Sequence, residues 1–159
     1  MTQEFLLDAI VDDLKELFKS YTLTNSMGAE RAISVFPQDL PYREGDDDST
    51  DPEAVPEPYI LVRVPSGELP EPASTQTVTV VLIICVCDPD PNRQGYRDAL
   101  HIVNTVVGRY GANSVVGGRY VVKYPIRWTT QEEETHPYYY AGVALNFEAP
   151  AIYMEVPET

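Results

Sequence analysis

The chain has 159 residues, 43% of them hydrophobic, with 14 prolines and two cysteines. That is enough chain for one domain with long proline-rich connections, and two cysteines exclude a disulfide framework. The 11 Lys plus Arg against 25 Asp plus Glu give a formal charge of −14, which repels phosphate and anionic lipid and so excludes a phosphate-tracking groove.

The opening "MTQEFLLDAIVDDL" mixes acids with apolar residues and has no basic leader, which predicts no signal peptide. The longest apolar run, residues 80–87, is far short of the roughly 20 residues that a membrane span needs. The expectation is a cytosolic, reduced protein without a membrane partner.

Residues 3–20 place Leu6, Ile10, Leu14 and Leu17 on one stripe, flanked by Phe5 and Phe18, with Asp8, Asp12, Lys15 and Glu16 largely off it. This predicts an amphipathic helix, capped by Thr2. Residues 32–36 read as a short strand ended by Pro37. Residues 37–58, "PQDLPYREGDDDSTDPEAVPEP", carry many acids and prolines and no periodicity, predicting a long solvated excursion with too few apolar groups to offset its ordering entropy.

Residues 59–64, "YILVRV", predict a second strand, and "PSGELPEP" a turn-rich connector. Residues 75–87, "TQTVTVVLIICVC", alternate at first and then become apolar at every position. Such a strand passes from one covered face to two, which places it centrally in a sheet with a helix over one side. "DPDPNRQG" breaks it. A second helix is predicted from Asp90 or Asn92, with Pro91 in its first turn, through residue 110. A glycine-rich turn then leads to a strand at 119–128, where Pro125 marks an edge or bulge. A last strand or strand pair is expected over 138–154. The whole predicts an α+β domain over residues 1–159: one mainly antiparallel β-sheet packed against two α-helices, with the acidic Pro-rich loop as its excursion.

Cys85 and Cys87 are the first candidates for chemistry. At positions i and i+2 of a strand they share a face about 6.6 Å apart, with parallel Cβ vectors that disfavour a mutual disulfide. Structural zinc takes four ligands, and neither His101 nor His136 is brought to the thiols by any recognisable spacing. Free cysteine is among the most buried residue types, so both are expected to be core thiols. No nucleophile signature and no phosphate loop accompanies the two histidines. The acids stand in runs such as Glu132, Glu133 and Glu134, which read as solvated charge. No catalytic residue, metal or cofactor is expected.

The aromatic residues cluster late in the chain, from Tyr120 and Tyr124 through Trp128 to Tyr153. Tyr138, Tyr139 and Tyr140 are consecutive, so both faces of a strand there must accept a large ring, and tyrosine is enriched at protein interfaces. The residues alone therefore suggest a non-enzymatic assembly subunit. Tyr138, Tyr139 and Tyr140, together with Asp46, Asp47, Asp48 and Asp51 of the acidic loop, are its candidate interaction surface.

A leading helix followed by "PYILVRVPSGE", "TVTVVLIICVCDPDPNRQGYRDALHIVNTVV", "YPIRW" and "PYYYAGVALNFEAPAI" resembles the tail terminator (tail completion) proteins of tailed bacteriophages and phage-tail-like particles. The resemblance covers roughly residues 3–155 apart from the acidic loop, whose length departs from the compact family pattern. It implies a subunit of a homohexameric ring at the head-proximal end of a virion tail. Such a ring caps the tail tube, ends its polymerisation and offers a docking face to the neck or head. The partners implied are further copies of the chain, tail tube protein and a neck or head-completion protein, with DNA passing through unbound. Two alternatives stand beside it: a head-completion or neck connector protein, and a small metal-binding domain or enzyme using Cys85 and Cys87.

Overall fold

The computed structural model describes residues 2–24, 28, 30–41 and 56–149. Its elements in chain order are α1 (Thr2–Leu17), β1 (Thr22–Thr24), β2 (Glu30–Ala32), β3 (Ser34–Pro37), β4 (Tyr59–Glu68), β5 (Gln76–Cys87), α2 (Gly95–Ala112), β6 (Val115–Val116), β7 (Tyr120–Thr130) and β8 (Tyr138–Ala149). Six strands form one sheet in the order β3-β4-β5-β8-β7-β6, while β1 and β2 make a separate two-stranded ribbon. Every pairing in the large sheet is antiparallel except β3 with β4, which is parallel. The fold is α+β, with a mainly antiparallel sheet and two helices, as expected.

The helices cover one face of this sheet. Leu6, Ile10 and Leu14 of α1 are fully buried, joined by Ala99, Ile102, Val103 and Val106 of α2. They meet Val78, Val80, Leu82, Ile84 and Val86, the alternate residues of β5 whose side chains share one face. Phe18 is buried beside them, whereas Phe5 is half exposed. The aromatic pair at the centre is Tyr110 of α2 edge-on to Phe147 of β8, with ring centroids 6.0 Å apart.

β5 is the spine of the sheet. It pairs residue for residue with β8, from Gln76 opposite Ala149 to Cys87 opposite Tyr138, and with β4 on its other side. Its burial changes from alternating to continuous over its last four residues, because a second apolar cluster covers the helix-free face there. Tyr59, Leu61 and Cys85 form that cluster, with Phe36, Ile83, Tyr138 and Tyr140 packed against it.

Several boundaries differ from expectation. The strand expected over 32–36 is divided between β2 and β3, and β1 was not anticipated. β4 continues through Pro65 to Glu68, with a register shift between Arg63 and Ser66 that absorbs the proline. The second helix starts at Gly95 rather than at Asp90 or Asn92. The Asp88 carboxylate accepts a hydrogen bond from the Asp90 amide at 3.0 Å, and the Asp90 carboxylate from the Asn92 amide at 2.9 Å. These side chains therefore close two successive turns instead of capping a helix, and Pro91 lies in them. The side chain of the expected cap Thr2 and residues 150–154 of the last strand lie outside what is described. So does the central part of the acidic loop, residues 42–55, with Asp46, Asp47, Asp48 and Asp51.

Candidate assembly surface

β7 borders the sheet. β6 pairs with it only at Tyr120 and Val121, and the Val122 amide then reaches the Ser114 carbonyl at 2.8 Å. From Tyr124 to Thr130 no strand lies on its outer side among the described residues. An open edge presents unpaired backbone groups to any chain that approaches, and proteins limit this hazard with prolines and bulges. Here the register against β8 shifts between Lys123 and Arg127, bracketing Pro125 as its position predicts. The irregular stretch turns Tyr124 outward, 66% exposed, its hydroxyl donating to the Gly111 carbonyl at 3.3 Å.

Past the bulge, Trp128 pairs with Val143, so its indole lies on the helix side of the sheet. It remains 55% exposed there. An open groove of about 500 Å³ results, lined by Tyr96 and Leu100 of α2, Trp128 and Thr130 of β7, Tyr139 of β8 and the turn over residues 131–134. Tyr96 is 41% exposed, and the Arg97 guanidinium sits 5.5 Å over its ring. Gly95 brings the start of α2 close to the floor: a Cβ on it would collide with the Tyr139 ring. The turn forming the rim is held internally. The Gln131 side chain accepts from the Tyr140 amide at 2.7 Å and from the Thr135 hydroxyl at 2.9 Å. Arg93 pairs with Glu134 across the approach to α2. Glu132 and Glu133 face outward and make no ion pair among the described residues.

The tyrosine triplet divides as a strand must. Tyr139 is buried on the helix side, beneath the start of α2. Tyr138 and Tyr140 are half-buried on the other face, in the cluster around Cys85. The large exposed aromatic rings are instead Phe5, Tyr96, Tyr124 and Trp128. Tyr124 and Trp128 belong to the late aromatic cluster, and no spacing in the sequence sets them apart from the buried members.

Cys85 and Cys87 are free, buried thiols, as expected. Burial pushes the Cys85 thiol up to about 11, despite hydrogen bonds with Tyr59 and Tyr140 that act the other way. Burial likewise holds Cys87 at about 11, with Glu57 and Asp88 adding to it. A thiolate is needed both for attack and for metal binding, and these environments oppose its formation. The histidines stand apart from the thiols: His101 stacks on Tyr21 with centroids 5.3 Å apart, and His136 Nδ1 lies 3.2 Å from the Tyr139 hydroxyl. Among the described residues no group of three or more His, Cys, Asp or Glu is arranged to hold a metal, and no helix is long and apolar enough to cross a membrane.

No family model matches the chain, and no curated protein matches it. Among solved structures 22 chains match. One of them, whose name states no activity or partner, aligns over 94% of this chain and 96% of its own, with a TM-score of 0.56 at 14% identity. At that identity the likeness establishes a shared fold.

Proposed function

We propose that the chain is a structural subunit of a tail terminator ring. Copies of it close into a hexamer on the head-proximal end of a virion tail tube, end polymerisation and present a docking face to the neck or head. The observation that carries this reading, beside the sequence resemblance, is the open β7 edge with Tyr124 and Trp128 exposed along it. A lone subunit gains nothing by leaving two large rings on an unpaired edge, whereas an assembly buries both. The charge of −14 fits a passage that DNA crosses without adhering. No step of this role is chemical, and no cofactor takes part.

The test is to add the purified protein to polymerising tail tube protein and measure tube lengths. Tubes that stop growing and carry density at one end are the expected result. Tubes that lengthen as they do without it would overturn the reading. Binding to portal protein in preference to tube protein would assign the chain to the neck instead.

A further inference from the structure

We infer that copies of this chain join head to tail, the Phe5 and Arg119 knob of one copy seating in the Trp128 groove of the next. The inference rests on the ring reading above and names the contact that builds the ring.

The knob lies at the start of β7. Phe5 of α1 is 49% exposed, its ring 5.8 Å from that of Tyr120. The Arg119 guanidinium sits 5.9 Å over the same ring, so cation and aromatic project as one unit. Gly117 makes this possible: its φ of +61° turns the chain from β6 into β7, and a Cβ there would stand 3.2 Å from the Phe5 ring.

The groove has the opposite properties. It is concave, aromatic-lined and edged by the carboxylates of Glu132 and Glu133. Five cations, Lys19, Arg63, Arg93, Arg109 and Lys123, are already paired with carboxylates of their own chain. Arg119, like Lys15, Arg97 and Arg127, is exposed and forms no ion pair among the described residues, so it is available to a carboxylate on another molecule. On a chain this acidic, most faces of two copies repel each other, so a cationic knob opposite an acidic groove selects one orientation. Trp, Tyr and Arg are the residue types that dominate interface energies, and knob and groove together hold all three.

The two patches cannot meet within one chain. Knob and groove stand at opposite ends of the 11-residue strand β7, about 30 Å apart at the usual strand rise. A contact between two different patches is heterologous. Each copy keeps one free patch at either end, and the series closes only if rotation returns it to its start, as in a ring.

Two charge-reversed variants test this: Arg119→Glu, and Glu132→Lys combined with Glu133→Lys. All three positions are exposed, and circular dichroism checks that each variant folds. By sedimentation, each variant alone is expected to self-associate about tenfold or more weakly than the parent. Their equimolar mixture recovers the parent's assembly. In it, the native Arg119 of one variant meets the native acidic groove of the other, and the reversed knob meets the reversed groove. Variants that assemble as well as the parent, or a mixture that stays dissociated, would overturn the contact. In that case a ring that still caps tubes would leave the terminator reading standing. A parent chain that never self-associates, with or without tubes, would overturn both.

Discussion

The guanidinium of Arg109 on α2 meets the carboxylate of Asp13 on α1 at 2.8 Å, and the two side chains are only 20% and 23% exposed. This pair ties the helices together above the sheet, and Arg109 also donates to the Asn113 carbonyl at 2.7 Å, closing the end of α2. The second Asp13 carboxylate oxygen is buried without a hydrogen bond. Arg109→Ala would therefore strand a largely buried charge, at a cost of about 1–3 kcal/mol that urea denaturation would register.

Its neighbour Tyr110 predicts the contrary. The Tyr110 hydroxyl is buried and makes no hydrogen bond of acceptable geometry, and burial, then the Asp13 charge, holds the phenol's pKa above its ordinary value. Tyr110→Phe keeps the edge-on contact with Phe147 and removes an unsatisfied group. Stability is expected to stay within about 1 kcal/mol of the parent, since the hydroxyl lost makes no hydrogen bond of acceptable geometry.

Gly95 predicts a steric effect. The methyl introduced by Gly95→Ala would collide with the buried Tyr139 ring and press on the Asp88 side chain at 2.9 Å. Either the ring leaves its site or α2 lifts from the sheet, a strain of about 1–3 kcal/mol. Denaturation midpoints would register the loss. An alanine variant of unchanged stability would contradict the packing described.

The thiols predict a pH dependence. Cys85 and Cys87 are held near 11 in the folded chain, against an ordinary thiol value of about 8.5. Between these values the native state keeps protons that the unfolded chain has released, so stability falls as pH rises through that window. Tyr140, raised to about 12 by burial, extends the fall to higher pH. In native buffer at pH 8 both thiols are expected to resist alkylation, and to react fully once denaturant is added. Rapid native alkylation would contradict their burial.

How much of this was legible in the sequence follows from which features are local. The stripe of Leu6, Ile10 and Leu14 declares α1, and the change from alternating to continuous apolar residues in β5 reports burial on both faces near Cys85. Pro125 announces its bulge. β1 and β2 have three polar-flanked residues each, held in part by a Thr22 hydroxyl donating to Glu30 at 2.9 Å, and nothing so short carries a period. The start of α2 was misplaced because Asp90 and Asn92 suit a helix cap and a turn equally well.

The aromatic surface was harder to locate for a tertiary reason. Tyr138, Tyr139 and Tyr140 draw attention as a run, but α2 passes over Tyr139 and the Cys85 cluster takes in its neighbours. Trp128 stays exposed because, although it lies on the helix side opposite Val143, α2 leaves a groove there. Where a helix stops covering a sheet is a property of the assembled fold, and no spacing of residues reports it.

The proposed ring on the end of a tail tube can be seen directly. Electron microscopy of the protein mixed with tail tubes tests it most directly. Six-fold rings seated at one tube end, with the Trp128 edge of each subunit buried against its neighbour, are the expected result. Bare tube ends beside a protein that remains monomeric would contradict it.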